Sequence, residues 1–175
     1  AAGEFGGAYI SHMRSEGDFI LQALDETIRI AKEANIPAEI YHLKINIGRN
    51  WGKIDSVIAK IDSARGAGLK ITANMYPYTA SGTGLTSRLP GWVQEGGLKE
   101  MRKRLKNPTI RKKVLYEMRN GIPYKNSDPA NVVLMHFKSD SLQKLYKGTR
   151  LSEVAKRHGK DADETVIDLI VKDKS

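Results

Sequence analysis

The sequence predicts an α/β fold in which short β-prone runs alternate with amphipathic helices and the strands lie parallel. Three observations carry this. Between Ala8 and Tyr76, three β-prone runs are separated by two stretches whose apolar residues recur at helical spacing. Each intervening helix is long enough to be a crossover, which parallel neighbours require and hairpins do not. No G-x-G-x-x-G follows any of the strands, which argues against a dinucleotide-binding sheet. Periodicity alone leaves two architectures open, a doubly wound sheet and part of a (β/α)8 barrel.

The elements follow in order. Ala8–His12 (AYISH) is the first β-prone run. From Asp18 to Ala34 the residues Ile20, Leu24, Ile28 and Ala31, joined by Thr27 and Ile30, mark a helix. Asn35-Ile36-Pro37 closes it, because proline disfavours helical geometry in the residue before it. AEIYHLKI, from Ala38 to Ile45, is the second strand, and Gly48-Arg49-Asn50 is a loop with Asn50 placed as an N-cap. Ile54, Val57, Ile58, Ile61 and Ala64 form the stripe of a second helix, which Gly66 and Gly68 end. Lys70–Tyr76 (KITANMY) is the third strand, and YPYTASGTG then opens a polar loop.

The second half changes character. Residues 84 to about 149 hold Pro90, Pro108, Pro123 and Pro129, a basic stretch and one β-prone run, Val132–Phe137. They read as a mostly helical insertion. Leu151–His158 and Asp161–Val171 are two more helices, with starts at Thr149 and at Asp161 or Asp163. The expected division is therefore residues 1–83 as three β-strand/helix units, 84–149 as an inserted lid-like subdomain, and 150–175 as returning helices.

Composition excludes several classes. The 175 residues are 40% apolar, enough for a core, yet no apolar run approaches the roughly 18 residues of a spanning helix. The N-terminal AAGEFGGAYI lacks the basic and apolar regions of a signal peptide, and no initiator Met is present, so a piece of a longer protein is expected. The absence of cysteine removes disulfides and thiolate ligands and fits a reducing, cytoplasmic setting. The net charge of +9 raises the question of an acidic partner, and Leu98–Lys113 (LKEMRKRLKNPTIRKK) carries much of it. No aromatic residue lies between Trp92 and Tyr116, so the stretch reads as a solvated helix face and argues against nucleic acid.

Ile10-Ser11-His12-Met13-Arg14 and Ile40-Tyr41-His42-Leu43-Lys44 repeat one pattern: apolar residue, histidine and cation at alternate positions. Alternate side chains of a strand share a face. His12 and His42 are expected at matching heights on adjacent strands about 4.8 Å apart, where both could ligate one divalent metal. Thr72, Asn74 and Tyr76 would line the same face of the third strand. His136 and His158 have no such partner and are expected to be structural or exposed.

The segments GGAYISHMRSEG, AEIYHLK, Asn50-Trp51-Gly52-Lys53, ITANMYPYTASGTGL, PGWVQEGG and TRLSEVAKRHGKDADETVIDLI together resemble the N-acyl-D-amino-acid deacylases of the amidohydrolase superfamily. The resemblance implies part of a (β/α)8 barrel, with strands five, six and seven here and a helical insertion after the seventh. It implies hydrolysis of the amide bond of an N-acyl-D-amino acid with one or two divalent ions, zinc foremost. It matches His12 and His42 to metal ligands, Lys44 to the contact with the substrate carboxylate, and Tyr76 to a substrate-contacting tyrosine. Asn74 stands where such proteins often carry Asp. The remaining ligands and the Asp base of that family have no counterpart in the chain, so no catalytic residue is assigned within it. The isolated chain is expected to be inactive, with the rest of the barrel as its natural partner and self-association as an outcome of its open edges. A dihydroorotase-like cyclic-amide hydrolase and a basic binding module acting through residues 98–113 are the competing readings.

Overall fold

Each half of the chain closes around an apolar core of its own. The structure, a computed structural model, describes residues 2–46, 48–121 and 128–173. It divides into two units, Ala1–Ala80 and Ser81–Ser175.

The first unit runs β1 (Tyr9–Ser11), α1 (Ile20–Ala34), β2 (Ala38–Ile40), α2 (Ile54–Gly66) and β3 (Ile71–Ala73). The strands form a parallel sheet in the order β1-β2-β3. The helical stripe read from the sequence is the buried face: Ile20, Leu24 and Ala31 of α1 and Val57 and Ile61 of α2 pack on Ala38, Ile40 and Ile71 of the sheet. Asn35 ends α1 in the left-handed conformation (φ 49°), and its N–H reaches the carbonyls of Ala31 and Lys32. The opposite face of the sheet, with Ile10, Glu39 and Thr72 in register, is turned away from α1 and α2, and Ile10 is 61% exposed.

Three expectations are corrected here. The strands are three residues each, because pairing stops where the chain turns aside at Tyr41-His42 and after Ala73. The register is offset by one from the repeat: Ser11, not Ile10, lies opposite Ile40, so exposed Ile10 and fully buried Ile40 point to opposite faces. Asn50 does not cap α2. A 3-10 turn, Gly48–Lys53, precedes that helix, and buried Asn50 donates instead to Asp18 Oδ1 at 2.9 Å.

The second unit contains α3 (Gly97–Lys106), α4 (Pro108–Asn120), α5 (Asp140–Tyr146), α6 (Leu151–His158) and α7 (Ala162–Asp173). Asn107 caps α4 by accepting from the N–H groups of Thr109 and Ile110, with Pro108 in the first turn. Asp161, one of the two starts expected for α7, accepts from Glu164 N–H at 2.8 Å, whereas Arg150, not Thr149, stands before α6 and makes no side-chain cap. Val132–Phe137 does not become a strand, and only Val133 bridges, to Arg150. Residues 84–149 and 150–175 share one core in which Leu105 and Met118 meet Leu151 and Ile167. Pro123 lies outside the described residues.

Part of the basic stretch is engaged inside this unit. Arg104 donates to the carbonyls of Val93 and Glu95, and Arg111 pairs with Asp168 at 2.8 Å. Among the described residues no helix is long and apolar enough to cross a membrane.

Candidate metal and carboxylate site

Three loops leave the C-terminal ends of three parallel strands side by side, and the polar side chains of the first unit converge there. His12 follows β1 directly, His42 stands two residues beyond β2, and Asn74 is the first residue after β3. The His12 Nδ1 and His42 Nε2 atoms face each other at 3.1 Å, with the rings edge to face.

The histidines meet in spite of the one-residue register offset because His42 leaves the strand geometry. Its φ is 43°, and His42 and Asn35 are the two non-glycine residues at positive φ among those described. Asn35 ends a helix, where that conformation is ordinary. At His42 it turns the imidazole back toward His12, against a cost of about 1–2 kcal/mol for a left-handed L-residue. The His42 backbone N–H is held by Asn74 Oδ1 at 2.7 Å.

Glu16, four residues after His12, lies at the centre. Its side chain is 6% exposed, and Oε1 accepts from Lys44 Nζ at 2.6 Å while Oε2 accepts from Asn46 Nδ2 at 2.9 Å. The same Oε1 is 3.3 Å from His12 Nδ1 and 3.1 Å from His42 Nδ1. A buried carboxylate is costly unless it is paired, and the loop after β2 supplies both partners. Lys44 Nζ also approaches His42 Nδ1 at 2.8 Å and lies 5.8 Å from the centre of the Tyr76 ring, which stacks on Tyr78.

The structure thus brings together His12, His42, Lys44 and Tyr76, the four residues singled out in the sequence. Arg14, expected on the face of His12, turns away to form a bidentate pair with Glu26 at 2.8 and 3.0 Å. His158 accepts or donates at Tyr146 Oη (2.7 Å) in the second unit, and His136 is exposed. Sequence reasoning missed Glu16 and Asn46. The available signal was the i,i+4 spacing of His12 and Glu16 in a loop whose glutamate has cations on both flanking segments.

The donor set fits a divalent ion. One ligand atom each from His12, Glu16 and His42 lie within 4.8 Å of one another. The 3.1 Å between the facing nitrogens is close to the roughly 3.3 Å expected of two imidazoles sharing one tetrahedral zinc at about 2.0–2.1 Å. Imidazole with carboxylate is a donor chemistry that zinc accepts.

No protein-family model matches the chain. Over 78 residues it is 36% identical to an N-acyl-D-glutamate deacylase and 39% identical to a D-aminoacylase, both of Alcaligenes xylosoxydans xylosoxydans. Each match covers 45% of this chain and 16% of the relative. A crystal structure of a D-aminoacylase, said to define a novel subset of amidohydrolases, superposes with a TM-score of 0.60 at 25% identity, over 95% of this chain and 27% of the other. A D-aminoacylase studied for its binuclear metal centre gives 0.61 at 25% identity, with the same coverage. The N-acyl-D-glutamate deacylase of Bordetella bronchiseptica, complexed with zinc and a phosphonate mimic of the tetrahedral intermediate, gives 0.63 over 96% of this chain and 27% of the other; at 21% identity it speaks for the fold alone. The likeness to N-acyl-D-amino-acid deacylases read from the sequence is therefore borne out, and two of these neighbours are described with zinc or a binuclear metal centre. The chain spans 16% of the length of the curated relatives and 27% of the solved ones, and among its described residues the sheet has three parallel strands.

Proposed function

We propose that this chain is the section of a metal-dependent hydrolase that carries two of its metal ligands and its anchor for the substrate carboxylate, and that the complete protein cleaves the amide bond of N-acyl-D-amino acids. The observation that carries the reading is the pair of imidazole nitrogens facing each other at 3.1 Å beside the Lys44 ammonium.

In this reading the three strands are the fifth, sixth and seventh of a (β/α)8 barrel, whose functional groups sit at the C-terminal strand ends. His12 through Nδ1 and His42 through Nε2 hold a divalent ion, zinc foremost. Such an ion polarises an amide carbonyl and acidifies water. Lys44 receives the free carboxylate of the amino acid, exchanging part of its contact with Glu16 for the substrate and so fixing where the scissile bond lies. Tyr76, whose ring centre is 5.8 Å from Lys44 Nζ, contacts the substrate beside it. The open sheet face at Ile10 fits a place inside a barrel completed by other segments. The further ligands and the proton-handling carboxylate come from those segments, so the chain by itself is inactive. The basic-module alternative draws no support from a stretch whose Arg104 and Arg111 already hold the second unit together.

The test is zinc content and deacylase activity of the complete protein against its His12→Ala and His42→Ala variants. Loss of both properties in each variant is expected. Normal turnover of N-acyl-D-amino acids by the double variant would refute the assignment.

A further inference from the structure

We propose that Glu39 and Asn74 form a clamp that positions His42, and that it works because one member is a carboxylate and the other an amide. The proposal rests on the reading of His42 as a metal ligand. The His42 backbone N–H donates to Asn74 Oδ1 at 2.7 Å. A backbone N–H can only donate, so the Asn74 oxygen must face it and the NH2 group must point away. That NH2 donates to Glu39 Oε1, and Glu39 Oε2 accepts from Thr72 Oγ1 at 3.1 Å.

Asn74 also pins the backbone on both sides of His42. Leu43 N–H donates to the Asn74 carbonyl at 2.8 Å, and the Asn74 N–H donates to the Ile40 carbonyl at 3.1 Å. One residue therefore fixes the chain from Ile40 to Leu43, across the position where φ is 43°. Glu39 and Thr72 are register partners within the sheet, so the clamp ties the turn to rigid strands rather than to another loop.

The chemistry of the pair is specific. Asn74 must accept from an amide and donate to a carboxylate at the same time, which an amide side chain does and a carboxylate does not. An aspartate there would still accept from His42 but would face the Glu39 carboxylate as a like charge. Replacing Glu39 by glutamine as well would return a donor to the contact. Asn74 and Glu39 are thus positioning residues: their effect on the metal passes through the backbone of His42.

The test uses the complete enzyme, with zinc affinity measured by chelator competition and ligand geometry by the visible absorption of its cobalt(II) form. Asn74→Ala and Asn74→Asp should each weaken zinc binding by roughly 10–100-fold, the usual effect of losing an outer partner of a ligand, and should change the cobalt spectrum. Asn74→Asp combined with Glu39→Gln should recover affinity and spectrum together, a coupling that two independent sites would not show. A purely structural role would lower thermal stability and leave the spectrum as it was. Unchanged affinity and spectrum in Asn74→Ala, or a folded double variant no better than Asn74→Asp, overturns the clamp. Should Asn74→Ala fail to fold, the comparison of Asn74→Asp with the double variant decides. His42→Ala is the control: if it too leaves zinc binding intact, the metal reading itself falls, whereas loss in His42→Ala with none in Asn74→Ala removes only the clamp.

Discussion

The two units of the chain differ in what surrounds their most buried carboxylates. In Ser81–Ser175 the buried or half-buried carboxylates join one helix or loop to another: Asp168 meets Arg111 and the exposed Lys160, Asp163 meets Arg88, and Asp173 accepts from the N–H of Ser139 at the start of α5. In Ala1–Ala80 two imidazoles and an ammonium crowd one buried carboxylate, all within 3.3 Å of Glu16 Oε1. Pairing of the first kind is what packing helices needs. Convergence of the second kind, on loops at the ends of two adjacent strands and with a histidine in a left-handed conformation, departs from what a stable fold alone requires, and such departures are where function is expected.

Substitutions that separate the two units sharpen this contrast. The largest effect is expected from His42→Ala in the complete enzyme, which should lower zinc affinity by more than the roughly 100-fold typical of an outer partner. Equilibrium dialysis checks it. In the second unit, Ile167→Ala removes a fully buried side chain and should cost about 2–5 kcal/mol of stability, with zinc affinity unchanged wherever the variant is folded. A parallel loss of zinc binding in the folded variant would show that the site depends on the core of the second unit.

Lys44→Ala should raise KM for substrates with a free carboxylate by about 10–100-fold, as expected from losing a charged hydrogen bond worth about 1.5–3 kcal/mol. Analogues lacking that carboxylate should lose less, since they share only the loss that comes from leaving buried Glu16 without its cation. Arginine should rescue poorly, since its planar fork does not replace a compact ammonium. Asn107→Ala should destabilise the protein by about 1 kcal/mol through loss of the α4 cap, read by chemical denaturation.

The smallest effect concerns pH. Burial pushes the Asp168 carboxyl upward, but hydrogen bonds from Lys160 and Arg111, with their charges, outweigh it and hold the group below the ordinary carboxylate value. A carboxylate lowered on folding contributes stability that is complete above its unfolded pKa, near 3.8, and is lost as pH falls through the lower folded value. Asp168→Asn should therefore be less stable at neutral pH, and its deficit should shrink as the pH falls below that range.

The same contrast explains what could be read in the letters. Amphipathic spacing located α1 and α2 and the order of the strands between them, because one buried face writes a period into the sequence. The strand lengths and register were not legible: offsets of one residue leave the same helices in place, and Ile10 looks as apolar as Ile40 although one is exposed and the other buried. The four candidate residues, His12, His42, Lys44 and Tyr76, came from the repeated histidine–cation pattern and the family likeness. Glu16 was missed because a single glutamate in a polar loop has no period, and its burial depends on Lys44 and Asn46 arriving from another strand end. Val132–Phe137 shows the converse. Its β-branched residues suit a strand, but its pairing is confined to a short stretch: Val132 and Leu134 exchange backbone hydrogen bonds with Gly148, Thr149 and Leu151 around the single bridge of Val133 with Arg150.

The central claim is that His12 and His42 share one cation. Zinc-edge anomalous diffraction from crystals of the complete protein tests it most directly. A peak about 2.0–2.1 Å from both His12 Nδ1 and His42 Nε2 is expected. A zinc site that leaves either nitrogen unbound, in a crystal of active enzyme, would contradict it.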